Sequence, residues 1–322
     1  MNVETLETPK IPLGISSCLI GERVRFDGGH KQNRYILDTL GEYFCYRSSS
    51  PEMAIGLSVP RQTIRLVDIN GDTNAVGVKD SDLNVTNALV ESAHQQREWH
   101  QDIFGYIVKK GSPSCGMERV KVYKNGIPFP KPDSSGIYTQ TLMQNFPNLP
   151  VEEEGRLGDP LLRENFIQRV FVFKRWRELF ESGISWAQLT DFHARHKYIF
   201  YSHNQNLGRA LGKELSQKIT ETAEAYAEIY LPKMMQILKI TVKRSNHVNV
   251  LEHIRGYIKN ELKKDDKKEL SDCIENYRLG WLPLIVPITL LKHHFMKFPN
   301  TYIERSHYLE PHPHQLMLLN QL

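Results

Sequence analysis

The sequence predicts an α/β domain with a mostly parallel, Rossmann-like sheet, followed by an all-α domain. Short apolar runs alternate with helical segments in the first half of the chain, which is typical of strands joined by crossover helices. The second half shows long helical periodicities without comparable strands. Between the halves, the polar stretch EEEGRLGDP is interrupted by Gly and Pro, which indicates a linker. These observations place the domains at 1–155 and 156–322.

The individual elements follow from apolar runs and helical spacing. We expect strands at 11–16, 43–46, 63–67 and 103–108, and the continuous apolar character of the last predicts burial on both faces. Helices are expected in the first half at 33–40, 84–100 and 138–146, where Val85, Leu89 and Ala93 keep helical spacing in the second of them. In the second half we expect helices at 161–181, 185–201, 210–239, 248–263, 268–277 and 282–295.

Composition excludes several classes of protein. The chain has 322 residues, of which 40% are hydrophobic and 24% charged, as in ordinary soluble globular proteins. No window approaches the ~20 apolar residues of a membrane helix, and the first ten residues have no apolar core like that of a secretory signal. The four cysteines are too few for a disulfide framework, so we expect a cytoplasmic protein with reduced thiols and no membrane association. The net charge of +4 is compatible with an anionic ligand or RNA but is not evidence for either.

Three distinctive loops follow predicted strands, and ligands of open α/β sheets bind beyond the carboxyl ends of the strands. The first loop, ISSCLIGERVRFDGG, contains Cys18. The second, SSSPEMAIGLSVPR, contains Ser50 and Glu52, and the third, KKGSPSCG, contains Cys115. Two cysteines from separate strand ends suit a soft metal or an iron–sulfur site. Two thiolates alone do not complete such a site.

Each loop also has a purely structural interpretation. Cys18 is compatible with a small buried hydrophobe, and Asp27 with a plain turn before two glycines. Ser50 stands at the N-cap position of a short helix that Pro51 would open. Cys115 is the hardest to explain by packing alone, because Gly and Pro residues surround it.

Together, SSCLIGERVRFDGG, SPEMAIGLSVPR and KKGSPSCG resemble the motifs of the thiouracil desulfidase family of bacterial proteins. The second half, with FHARHKYIFYSHNQNLGRALG, NHVNVLEHIRGY and YRLGWLPLIVPITLLKHH, looks like the helical YbgA domain that often follows it. The two resemblances cover nearly the whole chain. They imply a [4Fe-4S] cluster on three cysteines with one iron open to take sulfur from a thiolated pyrimidine. Water then replaces sulfur at the ring carbon without a redox change.

The resemblance assigns roles residue by residue. It implies that Cys18 and Cys115 bind the cluster, that Glu52 carries a proton, and that Ser112 donates or accepts a hydrogen bond with the substrate or the attacking water. Where the family has a third cysteine before Pro-Glu, this chain has Ser50, which is therefore the third cofactor-binding position. A carboxylate in hydrogen-bond reach is suited to handle the proton of the water.

Serine is a poor substitute for cysteine at this position, because it binds iron only as an alkoxide. Three explanations remain open: an introduced substitution, a naturally altered site, or recruitment of Cys45. Cys45 lies five residues before Ser50, up to ~16 Å away in an extended chain, so recruitment requires the segment between them to fold back.

In the helical half, His193, His196 and His203 have spacings of 3 and 7, which place them within about 80° on one helix. Three interpretations are open: ordinary hydrogen bonds, a metal site, or a face with Lys197 that contacts an anion or nucleic acid. The candidates for substrate or anion contacts over the whole chain are Arg25, Asp27, Ser114, His193 and Lys197.

The leading functional prediction is iron–sulfur-dependent desulfuration of a thiolated pyrimidine base, nucleotide or RNA. One alternative is a binding protein of the same fold without a cluster, motivated by Ser50. A further alternative is a nucleic-acid-interaction protein organised by the helical half. The sequence leaves the natural substrate, the oligomeric state and the cluster content open.

Overall fold

The computed structural model describes residues 9–124, 127, 129–181, 183–217 and 221–320. The described residues form two compact units, one ending at Gly158 and the other beginning at Asp159. The first unit combines strands and helices, and the second is helical, so the predicted fold class is confirmed. The bounds 1–155 and 156–322 remain a prediction about independent domains.

The elements of the first unit alternate along the chain. Its strands are β1 (Ile11–Ser16), β2 (Phe44–Ser49), β3 (Ile64–Ile69), β4 (Asp72–Gly77), β5 (Tyr106–Val108), β6 (Val120–Lys124), β7 (Lys131–Ser134) and β8 (Val151–Glu153). Its helices are α1 (Pro51–Ala54), α2 (Thr86–Gln95), α3 (Arg97–His100) and α4 (Ile137–Asn145). The segment predicted as a helix at 33–40 instead holds a single π-helical turn, Tyr35–Thr39, and the predicted helix 84–100 is divided between α2 and α3.

A four-stranded parallel sheet, in the order β2-β1-β5-β8, forms the core of this unit. Leu13 and Ile15 of β1 and Ile107 of β5 are fully buried, as expected for parallel strands covered on both faces. Ser16 at the end of β1 lies in register with Ser49 at the end of β2. The strands therefore end at one common edge, where their following loops meet.

A second sheet was not predicted from the sequence. It has the order β4-β3-β6-β7, with antiparallel β3–β4 and β6–β7 pairs and a parallel β3–β6 pair. Asn70 and Gly71, with φ of 56° and 97°, form the turn of the β3–β4 hairpin, which suits the Asn-Gly preference of such turns. Leu66 and Val120 pack from this sheet into a cluster with Leu89 of α2.

The predicted linker at EEEGRLGDP is wrong at its beginning. Glu152 and Glu153 belong to β8, and each is 2% exposed. Their carboxylates are satisfied locally: Arg156 donates to Glu152 at 2.6 Å, and the backbone N–H of Met117 donates to Glu153 at 3.0 Å. Buried charges of this kind require such partners. The acidic run is therefore part of the sheet.

The second unit consists of helices and short turns in the part that the structure describes. Its helices are α5 (Pro160–Glu181), α6 (Trp186–Ser216), α7 (Ala223–Lys239), α8 (Arg244–Arg255), α9 (Lys264–Leu279), α10 (Ile285–Lys297) and α11 (Thr301–Glu304). The predicted helix 210–239 is wrong, because α6 ends at Ser216 and Thr222 caps a new helix by accepting from the N–H of Ala225 at 3.2 Å. Among the described helices, none is both long enough and apolar enough to cross a membrane.

Candidate functional site

A cavity of about 380 Å³ lies at the carboxyl ends of β1, β2 and β5. Cys18 lines it from the loop after β1, Ser50 and Glu52 from the loop after β2, and Ser112 and Cys115 from the loop after β5. Ligand sites of proteins commonly have volumes of about 300–1,000 Å³. The structure thus brings the three loops together around a space large enough for a small molecule.

The two thiols in this cavity are buried and free of disulfide bonds. Burial raises the pKa of Cys18 to about 11, while nearby Arg25 and Lys109 oppose the shift. Burial also raises the pKa of Cys115 to about 12, and the negative charge of Glu52 adds to the shift. Without a bound metal, both thiols are therefore protonated at neutral pH. Metal binding here must displace protons, as is general for thiolate sites.

The SPSCG loop fixes Cys115 through its own backbone. Gly111 has φ of +67°, a left-handed conformation that favours glycine. The Ser112 hydroxyl accepts from the N–H of Cys115 at 3.2 Å, and the carbonyl of Ser112 accepts from the N–H of Gly116 at 2.8 Å. Thr139 of α4 donates its hydroxyl to the carbonyl of Cys115 at 2.7 Å. The small residues around Cys115 thus allow a tight, hydrogen-bonded turn.

Gly136, just before α4, makes this turn possible by close approach. A Cβ atom at this position would lie 2.5 Å from the carbonyl carbon of Ser114 and 2.7 Å from the nitrogen of Cys115. We expect Gly136→Ala to lower the free energy of unfolding by about 1–3 kcal/mol, the usual cost of overpacking. The backbone of Gly136, with φ −64° and ψ 141°, is open to alanine, so the clash alone causes the loss.

Chemical denaturation measures this effect. Gly158→Ala is the matched control, because no described heavy atom lies within 4 Å of the Cβ position at Gly158. Equal unfolding free energies for the two variants would contradict the close approach of Gly136 to the loop.

Glu52 occupies the first turn of α1 and connects the second loop to the third. The Ser114 hydroxyl donates to Glu52 Oε1 at 2.5 Å, and Ser114 Oγ lies 2.9 Å from Ser112 Oγ. Ser114 is fully buried, and its Oγ lies 3.5 Å from the sulfur of Cys115. A hydrogen-bonded chain therefore runs from the Glu52 carboxylate to the two serines beside Cys115.

Ser50 precedes α1 at the N-cap position, but its side chain makes no capping hydrogen bond. Its backbone is extended, with φ −119° and ψ 102°, and Pro51 is the first residue of the helix. Ser50 therefore stands at the N-cap position of α1, as predicted, but its hydroxyl does not cap the helix. Ser50 lines the same cavity as Cys18, Cys115 and Glu52.

Recruitment of Cys45 as a third ligand is wrong. Cys45 lies within β2, where it pairs with Pro12 near the start of β1, whereas Ser49 pairs with Ser16 at the opposite end. Five residues of strand at about 3.3 Å each separate Cys45 from Ser50 by roughly 16 Å. The Cys45 thiol is exposed and lies 3.7 Å from the carbonyl of Lys10. The intervening chain is a regular strand and does not fold back.

Positive charge is concentrated on the cavity wall. Five cationic side chains contribute to the lining, and Glu52 is the acidic one among the described lining residues; the cations are Arg25, Lys31, Arg61, Lys109 and Lys110. Lys109 also pairs with Glu154. Of these five cations, only Arg25 is among the contacts predicted from the sequence. The signal was present, because VPR and KKG border the second and third motifs.

Asp27 supports the structure of the first loop and does not line the cavity. Its Oδ1 accepts from the N–H of Gly29 at 3.0 Å, and this hydrogen bond lowers the pKa of the Asp27 carboxyl. Arg25 lies 3.7 Å from the same oxygen. This arrangement agrees with the turn interpretation and leaves Arg25 at the cavity wall.

The donor set of the cavity differs from that of a complete cluster site. Within the described ranges, no group of three or more His, Cys, Asp or Glu side chains is arranged to hold a metal ion. The cavity instead offers two thiols, from Cys18 and Cys115, and the hydroxyl of Ser50. Thiolates suit iron–sulfur clusters, so these donors fit a cluster at two of three protein-held corners.

The three histidines of α6 lie inside the helical unit. His193 Nδ1 lies 2.9 Å from the Tyr230 hydroxyl, and His196 Nδ1 lies 2.8 Å from the Phe192 carbonyl. His203 bonds to the Ile240 carbonyl through Nδ1 at 2.5 Å. Burial lowers the pKa of His193 and His203 to about 4, so both are neutral at pH 7. These contacts agree with the interpretation of the three histidines as ordinary hydrogen-bonding residues.

Lys197, the other candidate in this half, lies among aromatic rings. Its Nζ is 5.1 Å from the ring centroid of Tyr198, 5.7 Å from that of Tyr201 and 5.5 Å from that of Tyr302. Cation–π contacts of this length stabilise the lysine in place. Lys197 follows His193 by one turn of the same helix, and its positive charge adds to the burial that lowers the pKa of His193.

The fold and the cavity define a two-unit protein in which a parallel α/β unit with two buried thiols precedes a helical unit. Residues 13–154 match the family model described as 2-thiouracil desulfurase, and residues 197–313 match the one described as a protein of unknown function, DUF1722. Two family models therefore match successive parts of the chain, the first in the α/β unit and the second in the helical unit.

Two individual proteins are similar to parts of the chain. The uncharacterized protein YbgA of Escherichia coli (strain K12) is 27% identical over 151 residues, which are 47% of this chain and 89% of that protein. The solved structure of the [4Fe-4S]-dependent thiouracil desulfidase TudS is 28% identical and covers 47% of this chain and 95% of its own, with a TM-score of 0.38. The match to the 2-thiouracil desulfurase model lies in the unit that contains the cavity.

Proposed function

We propose that the N-terminal unit removes sulfur from a thiolated pyrimidine, presented as a base, a nucleotide or part of an RNA. The observation that carries the proposal is the single cavity that joins two buried thiols to a hydrogen-bonded carboxylate. In the reaction, water adds to the thiocarbonyl carbon, the C–S bond breaks, and the products are the carbonyl compound and hydrogen sulfide. No electrons are gained or lost.

Cys18 and Cys115 are the residues that would hold a [4Fe-4S] cluster, with Ser50 at the third position. When bound, such a cluster supplies a sulfur-seeking Lewis acid that favours departure of sulfide. The matching family is described as 2-thiouracil desulfurase, and the similar protein TudS as a [4Fe-4S]-dependent thiouracil desulfidase. For this chain, both the cluster and the substrate belong to the proposal.

The protein's own groups activate the water and attract the substrate. Glu52 accepts the proton of the attacking water, and the Ser114 hydroxyl that donates to Oε1 orients the carboxylate. Ser112 extends the hydrogen-bond chain towards the reacting carbon. The cations of the wall, among them Arg25 and Lys110, draw in electron-rich or anionic substrates.

Anaerobic purification followed by iron and sulfide analysis tests the cofactor. Sulfide release from 2-thiouracil, from a thiolated nucleotide and from thiolated RNA, measured with the same preparation, tests the reaction and ranks the three substrate forms. We expect iron to bind and sulfide to be released. A reconstituted protein that binds no iron and releases no sulfide from any of the three would overturn the proposal.

Ser50 favours a second candidate function, a binding protein that has kept the cavity without the cluster. If the chain is such a binding protein, its iron-free form binds 2-thiouracil without releasing sulfide. Equilibrium dialysis of the iron-free chain measures that binding. A full cluster in the protein as purified excludes this candidate.

A further inference from the structure

The helical unit contains a cavity of its own, with a volume of about 350 Å³. The beginning of α5, the beginning of α8, Tyr277 of α9 and the segment around Leu318 contribute to its walls. This volume is within the range of about 300–1,000 Å³ typical of small-molecule sites. None of the residues named in the proposed desulfuration takes part in it.

Polar side chains form part of the lining of this cavity, and most of them are already fixed by hydrogen bonds. The Gln168 side-chain amide lies 2.5 Å from His203 Nε2. Because His203 is neutral and its Nδ1 donates to the Ile240 carbonyl, Nε2 accepts from the Gln168 amide N–H. Arg244 donates one N–H to the Tyr277 carbonyl at 3.0 Å, and its remaining N–H groups are further donors.

Glu164 is the exception among the polar side chains of the lining. None of the described residues forms a hydrogen bond to its carboxyl group. Burial raises the pKa of Glu164 to about 8, against the opposing charge of Arg163. At pH 7 the carboxyl is therefore protonated, so it offers an O–H donor beside a C=O acceptor.

Apolar side chains form the rest of the lining. They are those of Leu161, Val242, Leu284, Leu318 and Leu319. Leu284 and Leu318 are buried and come from different segments. Apolar side chains of this kind pack against the faces of a ring, while polar side chains pair with its edge.

We propose that this cavity binds a small, uncharged, planar heterocycle with adjacent N–H and C=O groups, the amide edge of a nucleobase. Glu164 pairs with that edge through two hydrogen bonds, one donated and one accepted, and the free N–H groups of Arg244 reach a second carbonyl. An anion suits the cavity less well, because Asp159 also lines it and Arg244 is the one full cation among the described lining residues.

Binding of uracil to the full chain, measured by equilibrium dialysis, tests the proposal. Only the choice of probe rests on the proposed desulfuration, whose product has this edge. We expect Glu164→Gln to keep affinity at this site, because an amide also offers a donor and an acceptor. We expect Glu164→Leu to lose about 10-fold or more, the equivalent of one to two hydrogen bonds.

The pH dependence separates pairing from a merely structural role. The pKa of Glu164 is raised to about 8, so the donor is present below that pH and is lost above it. Uracil affinity of the unchanged chain should therefore fall between pH 7 and pH 9, and that of Glu164→Gln should not. Charged or titratable groups from several elements face Glu164. They are Asp159 and Arg163 of its own segment, Arg244 and His247 of α8, Tyr277 of α9, and Tyr308 after α11.

Leu161→Trp fills the cavity from its exposed rim and tests the site without touching Glu164. We expect this variant to lose uracil binding while its melting temperature stays close to that of the parent. Unchanged binding in both Glu164→Leu and Leu161→Trp overturns the proposal, whatever sulfide release shows. If both variants lose uracil binding and the unchanged chain releases no sulfide, this site is supported. In that case only the proposed desulfuration is contradicted.

Discussion

Ser50→Cys is expected to raise the affinity of the N-terminal cavity for iron by at least about 10-fold. Even outer-shell partners of metal ligands are worth about 10- to 100-fold in metal affinity, and the replaced group here is a candidate ligand itself. The thiol is a softer donor than the hydroxyl and loses its proton more readily. Iron and sulfide per chain after anaerobic reconstitution measure the change, and the visible absorption of the cluster gives an independent reading.

The geometry favours this gain. The Ser50 side chain has no capping hydrogen bond to lose, so a thiol replaces the hydroxyl without removing a helix contact. Ser58→Cys is the matched control, because it adds an exposed thiol in the same segment outside the cavity lining. If both variants bind the same amount of iron as the unchanged chain, Ser50 does not limit the cluster, and the two thiols with the present hydroxyl suffice.

Glu52→Gln is expected to lower kcat for sulfide release by about 10²–10⁴-fold, the usual contribution of a general base. Glutamine keeps an oxygen that accepts from Ser114, so the connection between the second and third loops remains. What is lost is the ability to take a proton from water. Comparison in the Ser50→Cys background keeps the iron content high in both proteins.

The control for this prediction is Glu22→Gln. Glu22 is an exposed acid of the first loop that accepts from Ser48 at 2.7 Å and does not line the cavity. Its replacement should leave kcat within a few-fold of the parent. A similarly small effect of Glu52→Gln at unchanged iron content would assign the proton to another group.

The arrangement of the cavity was largely predictable from the sequence. Parallel strands end at a common edge, so loops that follow three neighbouring strands must meet there. The apolar runs before Cys18 and Cys115 were sufficient to place both cysteines at strand ends. The position of Ser50 required more, because β2 extends to Ser49 through the polar residues Arg47 and Ser48. Pairing with β1, rather than hydrophobicity, maintains that part of the strand.

The second sheet was not predictable by the same reasoning. Its edge strand β7 has the sequence KPDS and shows no alternation of apolar and polar side chains. The β4 strand, DTNAVG, buries residues only in its second half. Such strands depend on neighbours that lie far away in the sequence, so local patterns do not reveal them.

Buried polar residues were the other source of error. Glu152 and Glu153 had the composition of a linker, yet tertiary partners hold them inside the sheet. For His193 and His203 the sequence left ordinary hydrogen bonds, a metal site and an anion-contacting face open, because their partners on α5, α7 and the segment after α7 are not apparent from the sequence. A buried polar side chain is recognised by its partner, and the partner is known only from the fold.

The close approach of Gly136 to the Ser114–Cys115 backbone has a consequence for protein engineering. Helix α4 begins directly after Gly136 and packs against α2, so the helix pair, rather than the loop alone, determines where the Cys115 sulfur lies. Grafting the sequence SPSCG onto the end of another parallel strand would transfer the cysteine but not the position of its sulfur atom. A functional transplant needs the stretch from β5 to α4 as one piece, with glycine kept at its final turn.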